Sequence, residues 1–107
     1  MGSSPAERAI LISPVKVWYV YVLENGEGRR YVGSTGRTPL IRLGEHNADL
    51  NRWTRAYGPW RLVYSEALGT KRDALARGRF FKTGAGRRQR DLLVAAAEDE
   101  NVRNHVG

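Results

Sequence analysis

The chain has 107 residues, about one domain's worth, and a composition of 41% hydrophobic and 27% charged residues supports a packed interior rather than a disordered polyelectrolyte. Eighteen Lys and Arg against eleven Asp and Glu give a net charge of +7, so a polyanion is the first partner to consider. The absence of cysteine excludes disulfide frameworks, thiolate metal sites and thiol nucleophiles, and no apolar run approaches the roughly 20 residues of a membrane helix, so a cytoplasmic protein without a membrane partner is expected.

Residues 1–16 read as an N-terminal tail. Its opening Met1-Gly2-Ser3-Ser4 has Ala6 where a myristoylation signal needs a hydroxyl. Residues 17–23 (VWYVYVL) form a β-branched and aromatic run that predicts a strand buried on both faces. Asn25-Gly26, in the turn over 24–28, tolerates positive φ at both central positions and predicts a hairpin into a second, antiparallel strand over 30–33. Thr38 before Pro39 predicts a capped helix to about residue 49, with Leu40, Leu43 and Asn47 on one face and Arg42, Glu45 and His46 on another. An irregular basic stretch with Trp53, Tyr57 and Gly58-Pro59 precedes a third strand over 60–66, where Trp60, Leu62 and Tyr64 are expected to share a face. Thr70 and Asp73 resemble a capping box opening a helix to about residue 83, which Gly84 is expected to end. A last helix is expected over 87–98, followed by a C-terminal tail over 99–107. The fold class is α+β, a small three-stranded antiparallel sheet flanked by helices, with one domain over 17–98.

The charge is concentrated. Residues 1–28 carry a net −1, residues 29–90 a net +11 and residues 91–107 a net −3. Most of the cations are Arg, whose planar fork grips phosphate bidentately. Arg37, Arg52, Arg55, Arg77, Lys82, Arg87 and Arg88 are the candidate nucleic-acid contacts, the last two at a helix start that presents free N–H groups to anions. A solvated basic surface is the plain alternative.

Tyr19-Val20-Tyr21 in the first strand, Tyr31-Val32-Gly33 in the second, Arg42 and His46 four apart on the first helix, and Gly58-Pro59-Trp60 before the third strand together resemble the GIY-YIG endonuclease family. The stretch 70–87, ending in FFKTGAGR, resembles the second helix and basic Gly-rich segment of its small single-domain bacterial members. The resemblance implies phosphodiester hydrolysis of DNA, structure-selective or weakly specific, with Mg2+ or Mn2+ as cofactor. It assigns catalytic positions to Tyr21, Tyr31, Arg42 and His46. One tyrosine positions or deprotonates the attacking water, Arg42 neutralises the scissile phosphate, and His46 assists proton transfer or phosphate contact.

Gly78 departs from the pattern. Aligning Arg77 and Lys82 with the family puts Gly78 where its single metal-binding glutamate stands, and a hard divalent cation needs the oxygen that glycine lacks. Two readings follow. One is an endonuclease impaired at Gly78 or compensated by Glu45 or Glu66; the other is a non-catalytic DNA-binding module that keeps the cleft. A ribosomal or RNA-binding basic domain fits the charge but not the ordered motifs.

Overall fold

The structure, a computed structural model, describes residues 16–48 and 57–106. The expected N-terminal tail up to residue 15, together with Arg52, Trp53 and Arg55, lies outside the described residues. Three strands, β1 (Trp18–Asn25), β2 (Arg30–Thr35) and β3 (Trp60–Leu68), form one antiparallel sheet in the order β2-β1-β3. Three helices accompany it: α1 (Pro39–Asn47), α2 (Lys71–Phe80) and α3 (Gly84–Val106). The expected α+β class and three-stranded antiparallel sheet are what the chain adopts. Among the described residues, no helix is long and apolar enough to cross a membrane.

Central position explains the unbroken apolar run of β1. Val20 to Leu23 are buried because both faces of the strand are covered. Val20 and Val22 face one layer with Val32, Val63, Ala74, Phe81 and Val94, which is where α2 and α3 pack. Tyr21 and Leu23 face the other with Trp60, and Tyr31, Leu43, Tyr57 and Leu62 close around them beneath α1. The period-2 alternation of β1 thus separates a structural layer from a layer rich in aromatic and polar groups.

Four local expectations are corrected. The hairpin does not use Asn25-Gly26 as a two-residue turn: the Asn25 N–H donates to the Arg29 carbonyl (3.0 Å), the Gly28 N–H donates to the Asn25 carbonyl (3.1 Å), and the positive φ, +84°, is at Gly28. This is a three-residue loop closed by a bulge glycine. Thr38 stands at the start of α1 but its side chain makes no capping bond, whereas Thr70 accepts from the Asp73 N–H (3.0 Å) as expected. A register shift opposite Val22/Leu23 places Trp60 and Leu62 on the α1 side and Tyr64 on the α2 side, so the three do not share a face. Gly84 opens α3 instead of ending α2: Thr83 Oγ1 accepts from the Gly86 N–H (3.0 Å) in the manner of an N-cap, and the helix continues beyond residue 98 to Val106.

Candidate active site

The site grows from the pairing of β1 with β2. Tyr21 lies directly opposite Gly33. A Cβ at position 33 would stand 2.4 Å from the Tyr21 hydroxyl oxygen and 2.5 Å from Cζ, so the glycine is what lets the phenol lie across the neighbouring strand. Two residues earlier on the same face of β2 is Tyr31, whose ring centroid is 6.4 Å from that of Tyr21.

Helix α1 closes over this pair. His46 Nε2 is hydrogen-bonded to the Tyr21 hydroxyl at 2.9 Å, and the His46 ring meets Tyr31 edge-on with centroids 4.9 Å apart. One turn earlier, Arg42 reaches the Tyr21 hydroxyl and also donates to Glu45. Glu45 accepts from Arg37 as well, at 2.6 Å to Oε2. The helix is held in place from its last residue: Asn47 Nδ2 donates to the Trp60 carbonyl (2.9 Å) and Asn47 Oδ1 accepts from the Trp60 N–H (2.8 Å). At the other end of the site, Asn25 Nδ2 donates to the Tyr57 carbonyl (2.9 Å) and ties the hairpin to the segment entering β3.

The electrostatics keep the buried groups neutral. Burial pushes the Tyr21 hydroxyl above its usual pKa, opposed by the hydrogen bond from Arg42 and reinforced by the neighbouring Tyr31 and Glu45. Burial pushes His46 below the ordinary imidazole range, and the Arg42 charge adds to that effect. Its imidazole is therefore uncharged at neutral pH. For Glu45 the hydrogen bond from Arg42 outweighs burial and, with Arg37, holds the carboxyl below the usual carboxylate range.

Tyr21, Tyr31, Arg42 and His46 thus come together, and Arg37 joins them through Glu45. Leu43 packs in this layer, but Leu40, expected on the same helix face, is 68% exposed. Gly78 shares the Ala74 and Phe81 stripe of α2, which covers the opposite face of the sheet. Arg77 is turned inward: its Nε donates to Glu66 and its guanidinium lies 4.4 Å from the Phe81 ring centroid. Lys82, Arg87 and Arg88 are exposed at the corner between α2 and α3. Sequence reasoning missed the roles of Asn25 and Asn47, which bond to backbone more than ten positions away. It placed Glu45 on one helix face with Arg42 and His46 and considered it as a substitute metal ligand, but did not draw from the i, i+3 spacing its pairing with Arg42.

The GIY-YIG catalytic domain family matches residues 17–89. The chain belongs to the GIY-YIG family. A UPF0213 protein of Bacillus pumilus is 35% identical over 88 residues, covering 81% of this chain and 88% of the relative. Another, from Streptococcus agalactiae, is 40% identical over 65 residues, 60% of this chain and 73% of the relative. The solution structure of a UPF0213 protein from Bacillus halodurans superposes with a TM-score of 0.45 at 32% identity, over 75% of this chain and 84% of that one. The GIY-YIG domain is nuclease-type, and its members generally use divalent metals. The residues of this GIY-YIG chain do not fit a carboxylate-held divalent ion. Position 78 offers no oxygen, Glu45 is taken up by Arg37 and Arg42, and Glu66 accepts from Arg77 and from the Tyr64 hydroxyl. Among the described residues no three acidic or His side chains converge.

Proposed function

We propose that this GIY-YIG protein binds DNA through backbone phosphates at the cleft of Tyr21, Tyr31, Arg42 and His46, and that phosphodiester hydrolysis there is weak or absent while Gly78 stands in place of a carboxylate. The observation that carries the reading is the convergence of these four side chains, from two strands and one helix, into one aromatic and cationic cluster. Arg42 supplies a fixed guanidinium for the charge that gathers on a phosphodiester. Tyr21 and neutral His46 share a hydrogen bond, so between them they hold a proton rather than a charge. Tyr31 is the less buried of the two tyrosines, which supports giving it the role of orienting a water against the phosphorus.

A second reading, a DNA-binding module without catalysis, is favoured specifically by the misfit of the metal ligands. Gly78→Glu separates the two. The backbone at position 78 is buried, yet a Cβ there meets nothing within 4 Å, so a side chain can enter without collision. Replacing glycine inside a helix should also recover about 1 kcal/mol of helix propensity. We expect little or no cleavage of duplex, flap, fork or hairpin DNA by the unmodified chain with Mg2+ or Mn2+; because α2 covers the sheet face opposite Tyr21, metal-dependent cleavage by Gly78→Glu requires the longer side chain to reach around the sheet to the site. Efficient cleavage by the unmodified chain would overturn the impairment. A Gly78→Glu protein that melts normally and binds DNA but cuts none of these substrates would leave the binding module as the function.

A further inference from the structure

Three charged groups meet at the mouth of the cleft. Arg37, just beyond the end of β2, is fixed by its own N–H donating to Thr35 Oγ1 (3.0 Å), and Arg42 projects from α1. Both guanidinium groups donate to the one carboxylate of Glu45. The anion is the least exposed of the three, at 20% of its side chain against 27% for Arg42 and 56% for Arg37. The cluster therefore keeps a net charge of +1, with both cations directed at a single anion position. That position borders the Tyr21 and His46 pair, because Glu45 directly precedes His46 on α1 and the His46 ring bonds the Tyr21 hydroxyl.

We propose that Arg37 and Arg42 form a two-guanidinium receptor for one phosphate group, and that the Glu45 carboxylate is the internal anion that occupies the receptor until a phosphate displaces it. Carboxylate and phosphate are the two anions whose oxygens match the guanidinium fork, so one replaces the other without rebuilding the site. Phosphate brings more acceptor oxygens to the same two donors. Glu45 stands on the side of a helix with a flexible stem and can swing toward water when displaced. The inference rests on the DNA-binding reading only for the origin of the phosphate.

The test titrates the full chain at low salt with inorganic phosphate and, separately, with duplex DNA, following the His46 ring signals by NMR. A carboxylate that competes with the ligand and one that merely steadies Arg42 predict opposite signs. Glu45→Gln should bind phosphate about tenfold more tightly than the unmodified chain, equivalent to about 1.4 kcal/mol, and should bind DNA more tightly as well. Arg37→Gln should weaken both. Glu45→Asp, whose stem is one methylene too short to span both arginines, should move in the direction of Glu45→Gln by a smaller factor and serves if Glu45→Gln melts early. Unchanged or weaker phosphate binding by both Glu45 variants, with normal melting, would overturn the receptor. Tighter phosphate binding without any DNA binding would uphold the receptor and remove the DNA reading. DNA binding indifferent to Glu45 and Arg37 would do the reverse.

Discussion

His46 is a titratable side chain that the fold takes out of water: it is 1% exposed, and its imidazole is held below the usual pKa by burial first and by Arg42 second. Above the unfolded value of about 6.5 both states carry neutral imidazole and the stabilisation is complete. As pH falls through that value the unfolded chain takes up a proton that the folded chain refuses, so stability declines until the lower folded pKa has been passed. Melting temperature should therefore drop between about pH 7.5 and about pH 5.5. His46→Gln keeps a polar partner for Tyr21 but cannot titrate, and should show a smaller drop. An equal drop in both proteins would assign the acid sensitivity to other groups. Tyr64 shows the same physics with the other sign: burial, then the hydrogen bond to Glu66, push its hydroxyl up to about 12, so it stays a donor throughout this range.

Strand pairing governs the next scale. Because Gly33 opposes Tyr21, Gly33→Ala drives a methyl into the phenol and should destabilise the protein by about 1–3 kcal/mol, the usual range for overpacking. Gly44→Ala is the control, since α1 has open space there and helix propensity predicts a gain of about 1 kcal/mol. Denaturant melts of the two variants should move in opposite directions, and a neutral Gly33→Ala would show that the ring can leave its seat freely. The same elements show how much was legible beforehand. The apolar run of β1, the Thr70 cap and the Arg42 and His46 spacing could be read because they are local patterns. The start of α3 was legible in principle from Thr83, but Gly84-Ala85-Gly86 resembles a helix stop; only the packed structure shows that a Cβ at Gly86 would fall 1.6 Å from the Phe80 carbonyl oxygen. The clasp of Asn47 on Trp60 and the inward turn of Arg77 onto Glu66 depend on tertiary neighbours that no periodicity encodes.

For the whole molecule, folding redistributes the +11 of the central segment. Arg30, Arg37, Arg42, Arg61, Arg77 and Arg90 are bonded to Glu24, Glu45, Glu66, Asp91 or Glu98. Lys82, Arg87 and Arg88 stay exposed at the α2–α3 corner and add to the arginines of the site as cations within reach of phosphate. DNA affinity should fall steeply between about 50 and about 200 mM salt, as condensed counterions are released. Arg88→Ala should lower the slope of log affinity against log salt by about 1. Arg77→Ala should leave that slope unchanged while lowering the melting temperature, because its guanidinium serves Glu66 and Phe81. A flat salt response would remove phosphate contact as the basis of binding.

The sheet order has a dynamic corollary. Tyr21 belongs to the strand with partners on both sides, whose amides open only when the sheet itself comes apart, whereas Arg42 and His46 ride on a helix of nine residues whose buried side chains are Pro39 and His46. Detaching that helix breaks the Asn47 clasp and the His46 bond while every rung of the β1 ladder stays intact. Its amides are therefore expected to form a separate, lower-energy opening unit, and hydrogen exchange should show them exchanging before those of the strands. The site would then have one stationary wall and one breathing wall, and a bulky polymer would gain entry on the timescale of the helix rather than that of global unfolding.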